Sequence, residues 1–119
     1  MINPISQLAK KIVELGQPKR SEHWPLIRKK WLLNNGTCAA CGSTQHLQVH
    51  HVIPFHLHPE LELCETNFIT LCETMGVEHH LKVGHTVDGK SSWKINNPDV
   101  RINAKQIYEK INPSIVNKS

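Results

Sequence analysis

The run Cys38-Ala-Ala-Cys41-Gly42 puts two thiols three positions apart, in a turn that glycine permits. As thiolates they can grip one tetrahedral ion at about 2.3 Å each, so the run predicts half of a structural zinc site. Cys72 is the first candidate for a third ligand. The fourth remains open among Cys64, His79, His80 and His85. A redox role for the pair would need a strand–helix setting of thioredoxin type, which the neighbouring residues do not provide. Further along, His50-His51 closes an alternating segment, and seven of the nine histidines fall between His50 and His85. Imidazoles need polar partners and are seldom fully buried, so this density points to metal binding or proton transfer near neutral pH.

Several short elements must position these groups. Leu47 to Ile53 alternates and is rich in β-branched residues, which predicts a strand ending at Pro54. Phe68 to Leu71 predicts a second strand, and Val77 to Val83 a helix broken by Gly84. Two adjacent histidines on a regular strand point to opposite faces, so one shared site requires an irregular strand end. Residues five apart on an α-helix diverge by roughly 140°. His80 and His85 therefore converge only if Gly84 ends the helix. Asp88-Gly89 marks a turn, and Ala104 to Ile111 predicts a last helix.

Ahead of the cysteines, Asn3-Pro4 opens a helix whose apolar stripe is Ile5, Leu8, Ile12 and Leu15, ended by Gly16. A second helix is expected from Ser21 to Asn35-Gly36, with Trp24, Ile27 and Trp31 on one face and Arg28, Lys29 and Lys30 on the other. Trp24, Trp31 and Trp93 are expected in the core. His56 and His58 are expected at a loop rim.

The 119 residues suffice for one domain, with a net charge of +4. Residues 1–46 carry +5, residues 47–81 carry −5 and residues 82–119 carry +4. Basic flanks favour a polyanion, and an acidic, histidine-rich centre favours cations; nucleic acid plus metal meets both. Nothing approaches the roughly 18 apolar residues of a membrane span. Met1 to Lys10 lacks the basic head and apolar run of a secretory signal, so a cytoplasmic protein is expected. In a reducing compartment four cysteines favour metal ligation over disulfides.

Taken in order, Cys38-x-x-Cys41, Leu47-x-Val49-His50-His51-Val52-Ile53-Pro54, Asn67-Phe-Ile-Thr-Leu71-Cys72 and His79-His80 resemble the HNH endonucleases, the ββα-metal nucleases. Pro54-Phe55-His56, Pro59-Glu60-Leu61-Glu62-Leu63, Gly84-His85, Trp93 and the lead-in Lys19-Arg20-Ser21 to Arg28 resemble the small phage and prophage-type members. The likeness covers roughly residues 18 to 100. It implies an α+β domain with a small ββα-metal core stapled by a structural zinc and flanked by helices. That core would span about 37–86, with N-terminal helices over 4–35 and a C-terminal extension over 87–119.

Carried over, the resemblance makes His51 the general base and Asn67 the residue that holds the loop and orients it. His50 and His80 become ligands of a catalytic divalent ion, Mn2+ or Mg2+ first among the candidates. If Gly84 ends the helix, His85 returns as a third ligand of that ion or as a phosphate contact. Cys38, Cys41 and Cys72 become zinc ligands. Many zinc-bearing members continue from the third cysteine as Cys-x-x-Cys-His; here a longer loop leads to His79-His80, so His79 is favoured over Cys64 as the fourth ligand. Arg20, Arg28, Lys29 and Lys30 are expected to contact DNA phosphates.

The implied activity is hydrolysis of double-stranded DNA to 5′-phosphate and 3′-hydroxyl ends. The protein would be a monomer or weak dimer, or part of a phage packaging or restriction-type assembly. The rival expectation is a zinc-containing DNA-binding module without catalysis, which has no use for surplus histidines and Asn67. A redox or metal-storage protein fits the cysteine and histidine counts but not their ordered spacing.

Overall fold

A computed structural model describes residues 19–113 of the chain. The helix expected over Asn3 to Gly16 lies outside the described residues. Among the described residues the architecture is α+β: two α-helices with two small antiparallel sheets. Helix α1 spans Trp24–Asn34. Strands β1 (Leu47–His51) and β2 (Phe68–Cys72) pair antiparallel from Leu47↔Cys72 to His51↔Phe68. A five-residue π-helical turn, His80–Gly84, precedes the hairpin of β3 (Thr86–Val87) and β4 (Lys90–Ser91). Helix α2 spans Val100–Ile111.

Strand β2 is buried at all five positions, so both faces of the small sheet are covered. Alternation sends Phe68 and Thr70 one way and Ile69 and Leu71 the other. On the first face Phe68 meets Trp24 and Trp31 edge-on, each at 5.4 Å between ring centroids. Trp31 Nε1 donates to Thr70 Oγ1 at 3.0 Å, which satisfies the one polar group of a largely apolar contact. On the second face Ile69 and Leu71 pack with Val83, Val100 and Ala104, in a core cluster that also takes in Cys38 and, at the strand end, Cys72. Phe68 is fully buried. Burying a side chain of that size contributes roughly 1.5–3 kcal/mol.

Several element boundaries differ from the sequence expectation, each for a local reason. Helix α1 begins at Trp24 because Ser21 is used in a preceding turn: its carbonyl accepts from Trp24 N–H and its hydroxyl from His23 N–H, both at 3.1 Å. Strand β1 stops at His51, before the expected Ile53, because the Asn67 side chain captures the Ile53 peptide. The helix expected over Val77 to Val83 shrinks to His80–Gly84. Gly76 (φ 93°) and Glu78 (φ 39°) are left-handed and cannot lie inside a right-handed helix. Helix α2 starts four residues earlier than expected, where Asn97 Oδ1 accepts from Asp99 N–H at 2.9 Å. Asp88 and Gly89 both have positive φ, as a two-residue type I′ hairpin turn requires. No helix among the described residues is long and apolar enough to cross a membrane.

Candidate metal centres and the cleft between β1 and the π-helical turn

The sequence folds Cys38 to Gly42 into a knuckle. Gly42 takes φ 77° and donates to the Cys38 carbonyl at 2.8 Å, and Cys38 N–H donates to Ser43 O at 2.8 Å. This turn faces the end of β2, where Cys72 sits, and His79 arrives from the following loop. Cys38, Cys41, Cys72 and His79 each offer a ligand atom, all within 4.8 Å of one another. Cys41 Sγ lies 3.9 Å from Cys72 Sγ, and His79 Nδ1 lies 3.7 Å from Cys38 Sγ and 3.6 Å from Cys72 Sγ.

A tetrahedral cage with metal–sulfur bonds of about 2.3 Å has edges of roughly 3.8 Å. The four donors thus match in kind and spacing what a zinc-like ion takes. The sulfurs are too far apart for disulfides, and all four cysteines are free. Burial, with Cys38 and Cys72 adding, pushes the Cys41 thiol up to about 11. A central cation is what makes neighbouring thiolates compatible. Cys64 stands apart, with Sγ 3.0 Å from Thr66 Oγ1.

A second group forms from His50, His80 and His85, again with ring nitrogens within 4.8 Å of one another. Their ring centroids are 5.2, 4.8 and 4.9 Å apart. The π-helical turn explains the convergence. Its wider winding brings residue i+5 back over residue i, so His80 and His85 share a side that an ordinary α-helix would deny them. His80 Nδ1 faces Glu73 Oε1 at 2.9 Å, and His85 Nδ1 donates to Ile95 O at 2.6 Å, which leaves Nε2 free on both rings.

His50 is buried, and its Nε2 has no hydrogen-bond partner among the described residues. Burial pulls its pKa down to about 3, with His80 and His85 adding to the effect, so the ring is neutral. A buried, neutral, unpartnered imidazole nitrogen beside two others fits a divalent metal ion.

His51 lies on the other face of β1. Pairing stays regular through His51↔Phe68, the last pair of the strand, and at this end both rings still border one cleft. The His51 ring rests 4.6 Å from Trp24 and 5.2 Å from Phe68 between centroids. Its Nε2 donates to the Glu62 carbonyl at 2.9 Å. A carbonyl only accepts, so the hydrogen sits on Nε2 and the lone pair on Nδ1. Burial holds His51 below the ordinary histidine range, partly offset by that bond.

Asn67 does not bond His51. Its Oδ1 accepts from Ile53 N–H at 2.8 Å and its Nδ2 donates to Ile53 O at 3.0 Å, while its own carbonyl accepts from Val52 N–H at 2.8 Å. It thus clamps the chain directly after His51.

His50, His51, His80 and His85 all border one cleft of about 510 Å³, together with Arg20, Trp93 and Lys94. Arg20 is fixed at the mouth: its guanidinium lies 4.3 Å from the Phe55 ring centroid and 3.4 Å from the Glu62 carboxylate. Lys29 and Lys30 are exposed on α1. Arg28 instead donates to Leu47 O at 3.2 Å and Gln48 Oε1 at 3.1 Å, tying α1 to β1. His56 lines the cleft from an exposed position, and His58 pairs with Glu60 on the surface.

Trp93 departs from its expected core place. It is 57% exposed, with its ring against His80 and His85 at the cleft wall. Glu62 and Glu73 escape a sequence reading because their roles rest on a backbone carbonyl and on a contact across a loop, neither of which has a spacing signature.

Comparison with protein families, with curated proteins and with solved structures finds no match to this chain.

Proposed function

We propose that this protein is a metal-dependent DNA endonuclease of the HNH kind. In this reading β1, β2 and the π-helical turn form a ββα-metal core, and Cys38, Cys41, Cys72 and His79 hold a structural zinc. The observation that carries the reading is the pairing of His50 and His51: one imidazole belongs to a three-histidine group, and the next is a neutral base on the same cleft. A binding module has no need of either.

His50, His80 and His85 would hold the catalytic ion. A divalent ion there supplies positive charge to a phosphate and eases departure of the leaving oxygen. His51 does the proton work. With Nε2–H committed to the Glu62 carbonyl, Nδ1 accepts a proton from water, and the resulting imidazolium keeps its carbonyl partner. Asn67 keeps His51 in place by fixing the Ile53 peptide. Arg20, held by Phe55 and Glu62, neutralises a phosphate oxygen at the cleft mouth. Lys29 and Lys30 add affinity without reading bases.

The test is conversion of supercoiled plasmid to nicked and linear forms, with and without added Mn2+ or Mg2+, by the wild type and by His51→Ala. Removing the base should lower the rate about 10²–10⁴-fold while retention on DNA in a gel shift persists. Wild-type-like cutting by the variant would overturn His51 as base. A wild type that binds DNA but never cuts it, with any divalent ion, would favour a non-catalytic binding module.

A further inference from the structure

Glu73 has no part in the reading above, yet its place in the chain is distinctive. It follows Cys72 of the thiol-rich group and faces His80, which follows His79 of the same group. Each of these two adjacent pairs gives one side chain to the four-donor set. The other two side chains meet each other at the edge of the histidine group.

The Glu73 backbone is fixed, because its N–H donates to His46 O at 2.8 Å, one step beyond the Leu47↔Cys72 pair. From that anchor Oε1 reaches His80 Nδ1 at 2.9 Å. An ionised carboxylate only accepts, so the hydrogen belongs on Nδ1 and the lone pair on Nε2. His85 is set the same way by a neutral acceptor, the Ile95 carbonyl. Glu73 differs in presenting a carboxylate side chain, the kind of partner that fixes the orientation of a metal-binding imidazole and raises its basicity.

We propose that Glu73 is a positioning residue for the metal centre. It locks His80 in the Nδ1–H tautomer with Nε2 turned to the ion, and Cys72 and His79 keep the two residues in register. The inference rests on the reading of His50, His80 and His85 as a divalent-ion site.

Two measurements on the full chain, with its thiol-rich site loaded with zinc, test it without recourse to cleavage. Nitrogen-15 NMR of labelled histidines before the second ion is added should show His80 protonated on Nδ1. Glu73→Ala should leave a mixture of tautomers. Calorimetric titration with Ni2+ should show Glu73→Ala binding about 10–100-fold more weakly, with zinc content and melting temperature unchanged. Glu73→Gln keeps an acceptor oxygen and should restore most of the affinity.

A wild type with His80 protonated on Nε2 would overturn the proposal. A wild type that takes up Ni2+ and cuts DNA while Glu73→Ala binds Ni2+ equally well would overturn it alone. A wild type that takes up no second ion would overturn the metal centre and this inference with it.

Discussion

Gly84 lies against the His50 imidazole so closely that a Cβ built on it would meet ring Cε1 at 3.0 Å, Nδ1 at 3.1 Å and Nε2 at 3.2 Å. The π-helical turn therefore rests its backbone directly on a metal-ligand candidate from β1. That approach is what brings His80, which opens the turn, and His85, which directly follows it, to His50. Gly84 is needed for space and not for a left-handed backbone.

Gly84→Ala should separate the histidine group from the rest of the fold. The added methyl cannot be absorbed without moving either the His50 ring or the turn, and such overpacking costs about 1–3 kcal/mol. The thiol-rich group lies on a different set of contacts and should keep its metal. Calorimetry should therefore show weaker Ni2+ binding at the histidine group, with zinc content by elemental analysis unchanged. Undiminished Ni2+ affinity would mean that the turn is not what aligns the three rings.

The four-donor group makes a prediction about metal content. Cys72→Ser and His79→Ala each remove one corner of the tetrahedron and should purify with less than one zinc per chain and a lower melting temperature. Cys64 is outside the group, so Cys64→Ser should keep about one zinc and melt like the wild type. Removing the ion with a strong chelator should lower the melting point, since few large side chains are fully buried and a bound metal would add to so small a core. Loss of zinc in Cys64→Ser alone would reverse the assignment.

Asn67 is buried and spends both side-chain groups on the Ile53 peptide. Asn67→Ala leaves that peptide N–H and C=O without partners at a partly buried site, a penalty of about 1–3 kcal/mol. Chemical denaturation should show the loss. Asn67→Asp, which retains the acceptor but not the donor, should fall between the two.

How much of this was legible in the sequence depends on the kind of signal each part leaves. The knuckle was legible because Cys-x-x-Cys-Gly is a local pattern, the first strand because Leu47 to Ile53 alternates, and the second as the short, mostly apolar run Phe68 to Leu71. The α+β class followed from them. The grouping of His79 with three cysteines came from motif order, with Cys64 still competing until the fold separated them. The convergence of His80 and His85 was legible only as a condition, that Gly84 end the helix, because sequence periodicity assumes 3.6 residues per turn and the π-helical turn departs from it. Trp93, expected in the core, instead covers two imidazoles at a cleft wall, a contact that no local pattern signals. Arg28 looked like Lys29 and Lys30 by charge, and only its partners distinguish it.

That distinction gives the last prediction. Four basic residues share one segment, but only some are free to meet DNA. Arg28 is half-buried and already holds Leu47 O and Gln48 Oε1, so its guanidinium joins α1 to the strand that carries His50 and His51. Hydrogen bonds from a charged donor are worth about 1.5–3 kcal/mol. Arg28→Ala should accordingly lower the unfolding free energy and leave the salt dependence of DNA binding nearly unchanged. Lys29 and Lys30 are exposed and make no side-chain hydrogen bond among the described residues. The Lys29→Ala, Lys30→Ala double variant should keep its stability. Each lost phosphate contact should reduce the slope of log affinity against log salt by about 1. Arg20 combines exposure with a fixed position at the cleft, so Arg20→Ala should lower both that slope and the cleavage rate at saturating DNA. Fluorescence titrations at several salt concentrations, read beside urea unfolding curves, measure these quantities. Equal salt slopes for the wild type and all three variants would show that this helix face does not meet the phosphate backbone.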